Sequence, residues 1–246
     1  MTAPAAPPIF EHLFVLGRPA GGKSEFIDFM KRLPAEDRAA SFGIGDFEEI
    51  DDFPWLWEAC EADDARESAG EPRRVSERTP EGYNITAPKF RGSLVGRFNG
   101  AIRERYLARP GFYQRGTLLI EFARGGGDGF RESLERFDKE ILERGAILYI
   151  KVSFEESFRR NSARYRPGQA ESILFHKVPD RDMLGFFREN DWDAITEGAP
   201  DGYLQLAGAC IPFVTMNNEP ETADPAVLRW RYARALGRLL HLYRTR

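Results

Sequence analysis

Residues 13–30, LFVLGRPAGGKSEFIDFM, leave the backbone few choices. Four apolar residues run directly into a stretch with three glycines and a proline, and a lysine and a serine then open a new apolar period. The run Leu13–Leu16 is too short for an independent helix and reads as a buried strand, whereas Glu25–Leu33 has helical periodicity. Strand, glycine loop and helix must therefore follow one another without a spacer.

The same alternation continues along the chain. Thr117–Phe122, Ala146–Val152 and Ile211–Met216 read as further buried strands, with Ala40–Gly45 a weaker one. Helical periods lie at Ser93–Leu107, Arg131–Arg144, Glu155–Arg164 and Ala226–Tyr243, the last with Leu228, Tyr232, Leu236, Leu239 and Tyr243 on one stripe. Ser153 and Glu156 form an S-x-x-E capping box at the start of the third of these helices. Right-handed crossovers between such strands give an α/β fold, a mostly parallel sheet between two helical layers. The expected organisation is a disordered Ala/Pro lead over residues 1–8 and one domain over 9–246. Residues 47–91, with DFEEIDD, FPWLW and an Arg-rich tail, are expected to be an irregular or helical insertion after the second strand.

Composition bounds the function. A chain of 246 residues with 42% hydrophobic content fills one sizeable core, and a net charge of −4 with 35 dispersed Lys and Arg gives no basic surface for duplex DNA. Cys60 and Cys210 lack CxxC spacing, so a reducing, cytoplasmic setting is expected. No run approaches the length of a membrane span. His12, His176 and His241 are scattered and suggest no shared metal or relay.

Gly17, Gly22, Lys23 and Ser24 make G-x-x-x-x-G-K-S between a strand and a helix, the context the phosphate-binding P-loop requires. Backbone N–H groups of Gly17, Arg18, Pro19, Ala20, Gly21, Gly22, Lys23 and Ser24, proline excepted, would curl around phosphate oxygens at a helix N-terminus. Side chains at the glycines would obstruct that approach. Lys23 would reach the β and γ phosphates, and the Ser24 hydroxyl would ligate Mg²⁺. ATP and Mg²⁺ are thus the expected donor and cofactor.

Three further features fit. Glu121 stands at the carboxyl end of a buried strand, where it could hold Mg²⁺ through water or accept a proton, and Arg124 follows it. Arg160 and Arg164 share a helix face and Arg166 lies just beyond, a like-charge cluster suited to a visiting anion. The last strand runs into NNEPE, with Asn218 and Pro220. At the expected strand-two exit, Asp46 could bind or deprotonate an acceptor, Trp55 or Trp57 could stack on a ring, and Arg73, Arg74, Arg78, Arg91 or Arg97 could meet an acceptor phosphate. The Gly125–Gly129 run lacks the lysine a second phosphate cradle would need.

GRPAGGKS resembles the G-x-P-[GA]-x-G-K form of P-loop nucleotide and small-molecule kinases. The R-x-x-x-R-x-R stretch resembles the arginine-bearing lid of deoxyribonucleoside and nucleoside monophosphate kinases, here about 155–172, and NNEPE looks like their adenine-edge loop. The resemblance implies a five-stranded parallel sheet in the order 2-3-1-4-5 and phosphoryl transfer to a small acceptor, a nucleoside or nucleotide foremost. GDFEEIDDFPWLW and EFARGG depart from the Glu-Pro and Glu-Arg-Ser motifs of deoxyribonucleoside kinases, so the acceptor stays open. A regulatory ATPase binding a protein partner through the aromatic insertion is an alternative. So is a polynucleotide 5′-hydroxyl kinase, which would need Arg73 to Arg97 to line a groove for a single strand.

Overall fold

The computed structural model describes residues 7–109, 111–164 and 177–246. Its centre is a six-stranded sheet built from β1 (His12–Gly17), β2 (Asp46–Asp51), β5 (Gly116–Phe122), β6 (Gly145–Lys151), β7 (Asp201–Leu206) and β8 (Ala209–Asn217). A separate hairpin pairs β3 (Ser76–Thr79) with β4 (Gly82–Ile85). The sheet order is β2-β5-β1-β6-β8-β7, with β7 antiparallel to β8. Both the strand count and the order of the whole sheet therefore differ from the five-stranded expectation. The five parallel strands taken alone lie 2-3-1-4-5 in chain order; β7 is the addition. Its signal is alternation, Leu204 and Leu206 buried between exposed Tyr203 and Gln205, followed by a two-residue turn with positive φ at Ala207 and Gly208.

β1, β5 and β6 are apolar on both faces because helices cover both. Phe14, Leu16, Leu118 and Ile120 point into one core beneath the helix Val95–Ile102. Leu13, Val15, Leu119 and Leu148 point into the other, beneath α1 (Lys23–Arg32) and the long helix Pro225–Thr245. Leu236 and Leu239 of that helix are fully buried, each contributing about 2 kcal/mol of burial. Its expected stripe is the docking face.

Two boundaries move. The expected strand Ala40–Gly45 is instead the end of α2 (Ala35–Phe42), closed by Gly43 at φ 66°, and the second strand begins only at Asp46. That strand is an edge strand with mostly charged, half-exposed residues, so its sequence lacks an apolar run. Accordingly residues 47–91 are not simply an insertion: Phe47–Asp51 belong to the main sheet, and α3 (Phe53–Ser68) and the β3–β4 hairpin follow. Asp63, fully buried, ties the two together by accepting N–H bonds from Arg74, Val75 and Ser76. The expected helix 131–144 is two helices, Phe130–Glu135 and Lys139–Glu143.

His12 is fully buried at the start of β1. Its Nδ1–H donates to the Ile141 carbonyl at 2.9 Å, which leaves Nε2 to accept from the Tyr113 hydroxyl at 2.7 Å. Burial lowers its pKa to about 4, against the opposing bond to Ile141. An unfolded histidine titrates near 6.5, so the unfolded chain binds the extra proton between pH 6.5 and 4 and stability falls as pH falls through that window. The loss should approach about 3 kcal/mol. Denaturation at pH 7 and 4.5, wild type against His12→Gln, measures it; equal pH slopes in the two proteins would contradict the assignment.

Candidate active site

All five parallel strands end on one edge of the sheet, at Gly17, Asp51, Phe122, Lys151 and Asn217. Ligands of open α/β sheets bind outside such carboxyl ends. Here a cavity of about 830 Å³ lies between the Gly17–Ser24 loop, the exits of β2 and β5, the β4 strand and the helix Phe154–Arg164.

The glycine loop is held from outside. Gly17 has φ 154°, and a Cβ there would lie 2.5 Å from the Ile150 carbonyl oxygen of β6. Gly22 has φ 104°, and a Cβ would lie 2.4 Å from Asn218 Nδ2. Close packing therefore demands these two glycines even before a ligand is considered. The Pro19 carbonyl accepts from Ser157 Oγ at 2.7 Å, the Gly21 carbonyl accepts from Asn218 Nδ2 at 2.9 Å, and Arg18 donates to the Phe187 carbonyl. Lys23, 7% exposed, donates to the carbonyls of Arg18 at 3.0 Å and Gly17 at 3.4 Å, and stands 3.8 Å from Glu121 Oε1. Ser24 is exposed and lines the cavity.

Opposite the loop stand three carboxylates. Asp51 ends β2 in register with Glu121 on β5, and Asp52 follows. Burial lifts the Asp51 pKa to about 6, although its carboxylate accepts the Phe53 N–H at 2.7 Å, and Asp52 and Glu49 push the same way as burial. Burial likewise raises Glu121 and lowers Lys23, each partly opposed by the charge of the other. Asp51 is thus a carboxyl poised near neutral pH at the cavity wall.

Several expected site residues have other duties. Asp46 lies at the opposite edge of the sheet, at the amino end of β2, 3.6 Å from Arg38 and 3.8 Å from Arg115. The helical end of α2 displaced the strand, so Asp51 and Asp52 occupy the exit assigned to Asp46. The Arg124 side chain is fully buried and spends its guanidinium on Asp52 at 2.6 Å, Ser133 at 2.8 Å and the Arg91 carbonyl at 2.9 Å. Its guanidinium thus holds Asp52 while the residue also lines the cavity. Arg160 turns to Glu156 at 2.7 Å and the Asn218 carbonyl at 2.9 Å, which also leaves the capping box half formed, with only Glu156 N donating to Ser153 Oγ. Arg164 does line the cavity, and Arg166 lies outside the described residues.

Asn218 is buried as a brace of the glycine loop, and the Pro220 carbonyl accepts from Arg231 at 3.0 Å; neither lines the cavity. Trp55 packs on Phe98 under Arg97, and Trp57 packs on Tyr83, so Phe53, Pro54 and Leu56 present the α3 face to the cavity instead. Arg73 and Arg78 reach Asp64, and Arg97 reaches Glu58. Arg91 alone of the five candidate acceptor arginines lines the cavity.

The sequence pattern missed Asp51 as a strand end, and Asp182 and Phe187 as wall residues. DFEEIDD carried the first signal, a carboxylate pair before the Phe-Pro start of α3; nothing local marked the other two. Among the described residues no group of three or more His, Cys, Asp and Glu could hold a metal ion, and no helix is long and apolar enough to cross a membrane.

A mostly parallel sheet with helices on both faces is broadly consistent with a P-loop kinase fold. No protein-family model matches the chain, and no curated protein sequence matches it. Solved structures resemble it distantly. One belongs to the Pnkp1/Rnl/Hen1 RNA repair complex, at 12% identity and TM-score 0.34, over 74% of this chain and 44% of that one, so this chain spans less than half its length. APE1195 is similar at 17% identity and TM-score 0.40, covering 98% of this chain and 97% of the other. A sugar kinase from Janibacter sp. HTCC2649 is similar at 12% identity and TM-score 0.36, covering 95% and 98%.

Proposed function

We propose that the chain transfers the γ-phosphoryl group of ATP, with Mg²⁺, to a hydroxyl of a small metabolite held in the cavity. One observation carries this: Lys23 and Ser24 of the glycine loop and Asp51 at the β2 exit open onto the same 830 Å³ space. Lys23, already held by backbone carbonyls, supplies a buried ammonium to phosphate oxygens, and Arg164 adds a second cation. Asp51, with its pKa near 6, takes the acceptor proton. The acceptor oxygen forms a bond to the γ-phosphorus as the bond to the β–γ bridging oxygen breaks, and the nucleoside diphosphate leaves.

Ser24 and Glu121 fit a magnesium ion shared with substrate phosphates, because Ser24 is exposed at the cavity and Glu121 is a half-buried oxygen donor at its wall whose charge a cation would satisfy. Magnesium, when bound, neutralises phosphate charge. The test is γ-labelled ATP with Mg²⁺ against separate pools of nucleosides, nucleotides, sugars and a 5′-hydroxyl oligonucleotide. Label should appear in one pool. Label found only as free phosphate, at a rate no pool alters, would instead indicate a regulatory ATPase.

A further inference from the structure

The cavity wall carries its own account of charge. Among the described lining residues, the cations are Lys23, Arg91, Arg124 and Arg164, against the carboxylates Asp28, Asp51, Asp52, Glu121 and Asp182. Lys23 and Arg164 stand on the glycine loop and the facing helix, where donor phosphates are expected. Of the described lining cations, Arg91 and Arg124 remain for the acceptor. Arg124 is taken by Asp52 at 2.6 Å, and Arg91 by Asp182 at 2.5 Å, with the Arg91 guanidinium also lying 4.4 Å from the Phe186 ring and 5.2 Å from that of Phe187. The Asp182 carboxylate is itself held by the Ile85 N–H at 3.3 Å.

A phosphate ester entering this end would bring negative charge to a wall whose described arginines, Arg91 and Arg124, are already paired with Asp182 and Asp52. It would also have to compete with the Asp52 and Asp182 carboxylates for guanidinium groups packed in place. The lining also carries the apolar side chains of Phe53, Pro54, Leu56, Ile85 and Phe187 and the ring of Tyr83. Such surface suits an uncharged ring, and the Arg91–Asp182 pair offers a donor beside an acceptor to a polar edge of that ring.

We infer that the acceptor is an uncharged, hydroxyl-bearing ring compound, and that its phosphorylated counterpart is rejected by charge. This rests on the phosphotransferase function proposed above. The free hydroxyl gives its proton to Asp51 as its oxygen takes the phosphoryl group, so the product carries the charge that the wall disfavours and should leave readily.

The test is calorimetric titration of the full chain with Mg²⁺ and a non-hydrolysable ATP analogue filling the donor side. The probes are matched pairs: adenosine and AMP, cytidine and CMP, thymidine and TMP, ribose and ribose 5-phosphate. At least one neutral member should bind about tenfold or more tightly than its phosphorylated partner. Asp182→Asn, which removes the counter-charge of Arg91 with little change of shape, should shift that ratio toward the phosphorylated member by about tenfold. Equal or tighter wild-type binding of the phosphorylated members overturns the inference, as does no binding of any neutral member at millimolar concentration. The wild-type comparison decides even if the variant does not fold. A neutral compound that binds but never takes label would refute phosphoryl transfer while leaving the charge preference standing.

Discussion

Replacing Lys23 with alanine should lower phosphoryl transfer by about 10³-fold, roughly 4 kcal/mol of transition-state stabilisation. The ammonium is 7% exposed and already pinned by the Gly17 and Arg18 carbonyls, so little ordering remains to be done when phosphate arrives. Removing it leaves Glu121 without the cation 3.8 Å away. Burial has already raised the proton affinity of that carboxyl, so it can take a proton and become neutral instead of unfolding the site. The variant should therefore stay folded, with a melting temperature within several degrees of wild type. Initial rates with labelled ATP and the acceptor pool that responds, alongside thermal melts, check both parts. A rate within tenfold of wild type would remove Lys23 from the mechanism.

Asp51→Asn should cost about 10²- to 10³-fold in turnover, the range expected for loss of a positioned base. In the wild type, kcat/KM should rise with pH through an acid limb near the Asp51 pKa of about 6, because only the ionised carboxylate can accept the proton. The variant should lose that limb. Stability should change in the opposite sense. A carboxyl whose folded pKa is raised contributes most below its unfolded value near 3.8, and that contribution is lost as pH rises through 6. At pH 7 the folded chain thus holds an unfavourable charge, and asparagine, which keeps an acceptor for the Phe53 N–H, should stabilise it by on the order of 1–2 kcal/mol after solvent screening. Denaturant titrations at pH 7 and pH 4 read this out. Unchanged kcat/KM at every pH would exclude Asp51 as the base.

Much of the frame was legible because it is local. Short, predominantly apolar runs marked β1, β5, β6 and β8, since strands buried on both faces of a parallel sheet tolerate little else. GRPAGGKS marked the loop because its demands on the backbone fall within eight consecutive residues. Glu121 was legible as a charge breaking an apolar strand at its end.

What failed was whatever depended on a neighbour. β2 is an edge strand with polar residues, so its register, and with it the placing of Asp51 at the strand exit and Asp46 at its start, is set by pairing to β5 seventy residues away. Arg124, Arg160 and Asn218 have the side chains a phosphate or base site would use, yet burial and partners from distant segments turn them into braces. The sequence by itself determined the layered α/β class and the glycine loop, because propensity and motif act over a few residues. Only the tertiary structure decided which charged side chains keep a face toward the cavity, because the pairs that take up Arg91 and Arg124 join residues 91 and 72 positions apart.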